Sequence, residues 1–289
     1  MSIVSLLDTV GFRAAWNPEL LLLIGLVAAA YFIAIGPQRQ SFPDSQPVSL
    51  GKKITFVTGL LLFYLCLGSP LNLLGHFMFS AHMLQQCLLY LVMPLLILLG
   101  MPEWLLLALI SPKWINRIVQ FFSKPVLAVL LFNMLFSFYH VPFILDAAKQ
   151  NVAFHNLAHL ALLTAAFFMW IPVVSPIREL DHLSDLRKIG YLFANGVLIT
   201  PACALIIFAS APLYTTFTEG PQLFCAPFFS APLDKSMFVN PLSPLEDQRL
   251  GGIMMKLTQE FTYACVLAYI FARWIKKERQ IDPLEPQPQ

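Results

Sequence analysis

The fold is decided by the stretch HMLQQCLLYLVMPLLILLGM, which occupies residues 82–101. This stretch contains no Asp, Glu, Lys or Arg. About 20 consecutive apolar residues are enough for an α-helix to cross the hydrocarbon core of a bilayer. The stretch therefore predicts a transmembrane helix, and the rest of the chain decides whether that helix is alone.

The composition of the whole chain is that of a membrane protein. Of 289 residues, 58% are hydrophobic and 12% are charged, whereas soluble domains average about 45–50% apolar and about 25% charged residues. The net charge of +2 and the lack of basic runs interleaved with aromatic residues exclude a nucleic-acid partner. The five cysteines form no CxxC pair, which excludes a thiol redox motif of that kind.

Further apolar runs predict an all-α, polytopic bundle of seven transmembrane helices. Their approximate ranges are 18–36, 53–74, 82–101, 125–142, 153–173, 189–210 and 253–274. We assign residues 1–275 to one membrane domain. Its loop at 211–252 is rich in proline, which predicts an irregular, partly extended lobe. The tail at 276–289 is rich in proline and glutamine and is predicted to be disordered.

The positive charges predict the orientation, because Lys- and Arg-rich loops stay on the cytoplasmic side of a membrane. Thirteen of the 18 Lys and Arg residues lie in the tail and in the connections that follow spans 1, 3 and 5. We therefore predict that the N-terminus is outside and the C-terminus is inside. The connection at 102–124 is then an amphipathic stretch on the inner surface of the membrane.

Five of the six histidines lie on the predicted outer side, and only His182 lies inside. The five are His76, His82, His140, His155 and His159. His155 and His159 are four residues apart on one helical face, so both imidazoles can reach one ion or one partner group. A pair of interfacial histidines solvated by water fits the same spacing equally well.

Methionines are predicted at the same depth as these histidines. They are Met78, Met83, Met254 and Met255. Imidazole and thioether together form a soft to borderline ligand set, which suits Cu(I). Each methionine taken singly is also typical of apolar filler, so it is their joint placement that favours a copper site.

Asp247 is the outer carboxylate nearest to the last predicted span. It would either accept a hydrogen bond from the free ring nitrogen of a ligand histidine or cap the last helix. If that helix begins near Asp247, Met254 lies two turns further on the same face. Gly251 and Gly252 between them would allow span 3 or span 5 to approach closely.

Five stretches, in order along the chain, resemble the CtaG family of caa(3)-type cytochrome c oxidase assembly factors. They are Ser80–Gln85, Phe138–Pro142 with Asp146–Ala148, the pair His155 and His159, Phe168–Pro172, and Asp247–Gln248 with Gly251–Met254. The resemblance implies a bacterial plasma-membrane protein that is required for an active haem-copper oxidase, with copper delivery as the usual suggested role. Gln86 and Met255 depart from it, because many family members have a histidine and a tryptophan there. Gln86 in particular leaves the ligand set open.

The residues and the resemblance together predict an assembly factor, not an enzyme, that holds Cu(I) and passes it to a nascent oxidase subunit. The ligands would be His82, His140, His155 and His159, with Met83 and Met254 as auxiliary ligands and His76 as an entry residue. The expected partners are cytochrome c oxidase subunits, a periplasmic or other extracytoplasmic copper donor, membrane lipid and a second copy of the chain. Asp247→Asn would keep the protein level and lower oxidase activity.

Two other functions fit parts of the pattern. A membrane haem protein with two axial histidines would use the same residues, and a Soret band would identify it. A copper transporter would need ligands that continue to the inner face, where the sequence offers only His182 and buried cysteines. We rank the transporter last.

Overall fold

The computed structural model describes residues 11–181, 183–218, 222–226, 229–233 and 240–281. Within these residues the regular elements are helices apart from one short hairpin, which agrees with the predicted all-α class. The helices are α1 (Phe12–Trp16), α2 (Pro18–Ile35), α3 (Leu50–Gly68), α4 (Pro70–Phe77), α5 (Phe79–Cys87), α6 (Met93–Gly100), α7 (Glu103–Leu109), α8 (Lys113–Phe122), α9 (Pro125–Tyr139), α10 (Pro142–Gln150), α11 (Val152–Val174), α12 (Asp185–Ile207), α13 (Thr215–Thr218) and α14 (Pro244–Ile281). Strands β1 (Gln222–Ala226) and β2 (Phe229–Leu233) pair antiparallel within the predicted lobe.

Five helical segments are long and apolar enough to cross a membrane. They are Phe12–Ile35, α3, Phe79–Gly100, α11 and α12. Two bent helix pairs pass the same test when each is taken as one span: α7 with α8, bent by 114°, and α9 with α10, bent by 76°. The chain is therefore a multi-pass membrane protein with five to seven candidate spans. The count of seven and the orientation of the termini stay predictions.

The last helix is longer at both ends than the sequence predicts. It begins at Pro244, inside the predicted loop, because Ser243 and Glu246 cap it reciprocally. The Ser243 amide donates to Glu246 Oε2 at 3.0 Å, and the Glu246 amide donates to Ser243 Oγ at 3.3 Å. This is a capping box followed by proline at the first helical position. The helix continues to Ile281, and residues 282–289 of the predicted disordered tail lie outside the described residues.

The central span, Phe79–Gly100, contains a π-helical turn over Leu88–Val92, just before Pro94. Proline has no amide hydrogen, so the carbonyl four residues before it loses its helical partner. A π-turn is one way in which a helix absorbs such a break. The span is therefore irregular just before Pro94, and Tyr90 lies in this turn.

The core is formed where α14 packs along α5 and α12, and where α11 packs along α6 and α9. Two glycines of α14 allow the close approach. A Cβ on Gly251 would lie 2.6 Å from Phe79 Cδ1, and a Cβ on Gly252 would lie 2.7 Å from Ile207 Cγ1. The predicted contact with span 3 is confirmed at Gly251, whereas Gly252 faces span 6 (α12) rather than span 5.

Short elements close one end of the bundle. They are α4, α10, α13 and the hairpin, with β1 lying against α4, α10 and α11. We call this the histidine end, because the five histidines predicted on the outer side lie there. It is the end that the sequence places outside the cell.

Candidate functional site

Four histidines from three helices form a continuous row at the histidine end. The ring centroids of His76 (α4) and His155 (α11) are 6.1 Å apart, those of His155 and His159 are 4.2 Å apart, and those of His159 and His82 (α5) are 6.4 Å apart. All except the half-buried His159 are buried. The fold therefore brings together residues that the sequence places on different helices.

His140 lies beside this row rather than in it. Its ring is 5.5 Å from the ring of Tyr139, which is itself 5.8 Å from His159 and 6.4 Å from His82. Tyr139 thus stands between His140 and the other imidazoles. Sequence reasoning missed this tyrosine, although its position next to His140 was a signal.

Two of the five rings are anchored to backbone carbonyls. His76 Nδ1 lies 2.8 Å from the Asn72 carbonyl, and His140 Nδ1 lies 2.7 Å from the Phe136 carbonyl. A carbonyl oxygen can only accept, so each Nδ1 carries the hydrogen, and the lone pair of His140 Nε2, which has no partner among the described residues, is available when that ring is neutral. Burial, and secondarily the nearby Lys149, lower the pKa of His76 well below its ordinary value, so that ring is neutral. A neutral imidazole is the form that binds metals.

Three ring nitrogens are buried without a hydrogen-bond partner among the described residues. They are His82 Nδ1, His140 Nε2 and His155 Nδ1. Buried polar atoms in proteins are normally hydrogen-bonded, and an exception calls for a specific explanation such as an ion or a chemical role. These three atoms are the strongest structural indication that the site holds a ligand.

Gln86, the departure from the family pattern, orients His82. Its Nε2 lies 3.0 Å from His82 Nε2, while its Oε1 has no partner among the described residues. If the amide is turned over, Oε1 accepts the hydrogen of His82 Nε2. The lone pair of His82 Nδ1 is then available to a metal.

Tyr90 performs a similar role for His159. Its hydroxyl lies 2.6 Å from His159 Nδ1, and the hydroxyl of Tyr139 lies 3.5 Å from His159 Nε2. Metal-binding histidines usually donate their other ring hydrogen to a fixed polar group. Tyr90 supplies such a group from the π-turn, and sequence reasoning missed it because it lies within an apolar run.

The cluster is not a closed metal cage. Among the described residues, no three His, Cys, Asp or Glu side chains lie close enough together to hold one ion. Met83 is buried, with its Cγ 3.0 Å from where a Cβ on Gly251 would be, and Met254 is half-buried. Their role as auxiliary ligands stays a prediction. His155 and His159 form the closest pair.

Asp247 is a helix cap, but for a helix other than its own. It accepts hydrogen bonds from the amides of Phe79 at 2.7 Å and Ser80 at 3.2 Å, and from the Ser80 hydroxyl. These groups form the first turn of α5, where the N-cap residue Met78 provides no side-chain cap. Asp247 therefore stabilises the helix that carries His82, rather than orienting a histidine or capping α14.

Lys149 is a buried cation next to the histidines. It is 2% exposed, donates to the Gly75 carbonyl at 3.1 Å and lies 5.4 Å from the centre of the Phe217 ring. The sequence places it on an outer turn, where a lysine is ordinarily solvated. Leu145, which is also buried, is four residues earlier, and that spacing was the available signal that Lys149 points inward.

The other ionisable residues of interest are less central. Lys256 and Glu260, which are one helical turn apart, form an ion pair at 2.6 Å, with both side chains partly exposed. Asp146 accepts hydrogen bonds from the amides of Thr215 and Thr216, both at 3.0 Å. His182, predicted on the inner side, lies outside the described residues.

A cavity of about 160 Å³ reaches the row of histidines from the side of the bundle. Its polar part is formed by Asn72, Gln85, His155, Asn156 and His159. Its apolar part consists of Phe63 and Leu67 of α3, Leu89 of the π-turn and Leu163 of α11. His155 and the half-buried His159 are thus the members of the row that line this cavity.

Comparison with known proteins gives the family. The family model for the cytochrome c oxidase caa3 assembly factor (Caa3_CtaG) matches residues 29–277. Uncharacterized proteins of Mycobacterium bovis and Mycobacterium tuberculosis are each 25% identical over 271 residues, which cover 88% of this chain and 37% of theirs. An uncharacterized protein of Mycobacterium leprae is 22% identical over 298 residues, covering 95% of this chain and 41% of its own.

The chain spans about two fifths of the length of these curated relatives, and no solved structure matches it significantly. Because the family model covers most of the sequence, the chain belongs to the caa3 cytochrome c oxidase assembly factor family, CtaG.

Proposed function

We propose that this protein assists assembly of a haem-copper cytochrome c oxidase by holding Cu(I) at the histidine end and passing it to a nascent oxidase subunit. Membership of an assembly-factor family supports the first part and suggests a role that is not catalytic. The family and the apolar helices also indicate a bacterial membrane protein. The copper site and its delivery role are the additional proposal.

The observation that carries the copper proposal is the set of buried, unpartnered ring nitrogens on His82, His140 and His155. Leaving a polar atom buried and unsatisfied costs about 1–3 kcal/mol. Three such atoms among the described residues belong to histidines at one end of the bundle. A metal ion would satisfy those that lie in the row.

The chemistry of the row favours Cu(I). Imidazoles form the row, and the thioether of Met83 lies on the helix that carries His82, whereas Zn(II) more often recruits thiolate or carboxylate ligands. Cu(I) accepts as few as two ligands, so the pair His155 and His159, with ring centroids 4.2 Å apart, provides a starting site. An open set of neutral ligands also suits transfer, because copper can move by replacing one ligand at a time.

Copper binding is tested by loading the detergent-purified protein with Cu(I) under anaerobic conditions and washing it with a Cu(I) chelator. We expect wild type to retain about one copper per chain and the double variant His155→Ala/His159→Ala to retain little. His82→Ala should weaken retention. His182→Ala is the matched control, since the same substitution there lies on the predicted inner side and should leave copper unchanged. Equal retention by wild type and the double variant would refute the site.

A haem protein with two histidine ligands receives no support from this geometry. The cavity beside the histidines measures about 160 Å³, whereas pockets for ligands of even modest size begin at about 300 Å³. A haem would therefore have to displace α3 or α11. A Soret band with one haem per chain in the purified protein would reverse this conclusion.

A further inference from the structure

An ion pair lies on the outer surface of α14, at a depth that falls within the membrane. Lys256 Nζ is 2.6 Å from Glu260 Oε1 and 3.1 Å from Thr200 Oγ1 of α12. Thr200 precedes the last residue of α12, Ile207, by about 10 Å along the helix axis. Since α12 is long enough to cross the membrane with 23 residues, the pair lies inside the hydrocarbon core.

The carboxylate is the part of this pair that the bundle leaves uncovered. The Glu260 side chain is 58% exposed, and the Lys256 side chain is 30% exposed. Among the described residues, this ammonium group is the only hydrogen-bonding or ion-pairing partner of the carboxylate. Ionisable residues in membrane spans almost always face the interior of a bundle or a water-filled cavity, because a charge in hydrocarbon is costly. A carboxylate on the outer surface of α14 therefore indicates that another polar group covers it.

Lys256 is not arranged to reach the membrane surface. A lysine in a span ordinarily extends its ammonium group towards the nearer interface. Helix α14 starts at the histidine end, where Asp247 contacts α5, so Gln259 and Glu260 lie deeper in the membrane than Lys256. The ammonium group nevertheless donates to Gln259 Oε1 at 3.2 Å in addition to its contact with Glu260. The pair is therefore held within the bilayer.

Small side chains continue the same face of α14 beyond Glu260. Ala264, Ala268 and Ala272 follow at intervals of four residues, and all three are exposed. Small residues at this spacing allow two helices in a membrane to pack with their backbones close together. The face therefore has the composition of a helix–helix contact with a charged pair at one end.

We propose that this face of α14, from Lys256 to Ala272, is the contact between two copies of the chain in the membrane. Two copies in one membrane have the same orientation, so the axis of a symmetric dimer is parallel to the membrane normal. Each α14 then packs in parallel with its counterpart, and residues at equal depth face each other. Glu260 of each copy lies one turn deeper than Lys256 of the other, so two ion pairs form across the contact. This inference goes beyond the copper proposal and does not depend on it.

A second copy is the occupant because the face is complementary to itself. It carries one cation and one anion a turn apart, so an identical face supplies an opposite charge for each. A partner helix with one sign of charge would pair with one group and repel the other. A lipid chain would leave the carboxylate in hydrocarbon. The alanines match as well, since a two-fold contact places the same small residues on both helices.

Disulfide cross-linking in native membranes tests the contact. The exposed Cys265 is first replaced by alanine. Cysteine is then introduced at Ala264, or at Met134 of α9, a control position that is 56% exposed at a similar depth. We expect mild oxidation to give a covalent dimer of the chain with Ala264→Cys, and not with Met134→Cys or with Cys265→Ala alone. Equal dimer from both positions, or a product with a different protein in place of the dimer, would overturn the proposal.

Charge substitution in two co-expressed chains tests the ion pairs. Lys256→Glu leaves two carboxylates on the face, and Glu260→Lys leaves two ammonium groups. Each variant alone, in the background that carries Ala264→Cys and Cys265→Ala, should lose most of the cross-linked dimer because like charges meet across the contact. Co-expression of the two variants with different tags should restore a mixed dimer, which misfolded chains would not form. The proposal is wrong if no mixed dimer forms, or if each variant alone gives as much dimer as the unsubstituted pair.

Discussion

Replacing Asp247 by asparagine tests whether this carboxylate acts on a helix or on a metal. In the structure it is 2% exposed and accepts three hydrogen bonds from the first turn of α5. Asparagine has the same shape but only one accepting oxygen, so its amide would face at least one N–H donor. The substitution therefore leaves a buried donor unsatisfied and removes a negative charge from a helix N-terminus.

The size of the effect follows from the hydrogen bonds that the substitution removes or weakens. A hydrogen bond to a charged group contributes about 1.5–3 kcal/mol. With one such bond removed and the others weakened, we expect Asp247→Asn to lower the free energy of unfolding by about 2–4 kcal/mol. At about 2–4 °C per kcal/mol for larger domains, the apparent melting temperature should fall by about 5–15 °C. The amount of protein in the membrane should fall with it, which reverses the expectation from the sequence.

The assay is thermal unfolding of the purified protein, followed by intrinsic fluorescence, together with copper content per folded chain. The neighbouring Glu246→Gln is the matched control. It changes an exposed carboxylate that caps its own helix, and glutamine also satisfies a capping box, so its melting temperature should stay close to that of wild type. A normal melting temperature for Asp247→Asn with less copper per folded chain would refute the capping role.

Three further outcomes are expected. Tyr90→Phe removes the hydroxyl that lies 2.6 Å from His159 Nδ1, so the affinity for Cu(I) in a chelator competition should fall about 10- to 100-fold while the melting temperature changes little. Gly251→Ala forces a methyl group within 2.6 Å of Phe79 Cδ1, so it should cost about 1–3 kcal/mol by overpacking and lower the apparent melting temperature. An alkaline phosphatase fused after Lys113 should be inactive, and an active fusion there would refute the predicted orientation.

The general architecture was predictable because lipid imposes a simple rule on sequence. A helix that crosses a bilayer needs about 20 apolar residues, and such runs can be read directly. The short elements were harder to predict. Helices α4 and α10 have only 8 and 9 residues, and the bend between α9 and α10 follows from Pro142, whose position alone does not reveal the 76° angle.

The candidate site was predictable in its histidines and not in the residues around them. The i,i+4 spacing of His155 and His159 fixes their common face, so that pair followed from the sequence. Tyr90 and Gln86 lie inside a predicted span, where a polar side chain can face lipid, core or site. The i,i+4 spacing of His82 and Gln86 allows their contact, whereas only the packing of the central span against α11 reveals that Tyr90 orients His159. Long-range contacts of this kind are absent from local patterns.

The role of Asp247 was uncertain in the sequence because a carboxylate near a helix start has several possible partners. In the structure, Asp247 is buried against the first turn of α5, and this position determines its hydrogen-bond partners. Three residues in the first turns of α5 and α13 are buried, namely Phe79, Ser80 and Thr216, and unsatisfied amides are costly there. Asp247 and Asp146 supply the acceptors from distant parts of the chain.

The hydrogen bonds made by these two carboxylates also affect which metal ion the row of histidines would favour. Asp146 and Asp247 are committed to helix ends, so neither is available as a ligand, and the row is left with neutral imidazoles. A divalent ion depends more strongly on anionic ligands than a monovalent one, because its electrostatic stabilisation by each carboxylate is twice as large. Under the proposed function, a row of imidazoles without carboxylates would therefore favour Cu(I) over Zn(II), and its open ligand set would let a partner ligand remove the copper.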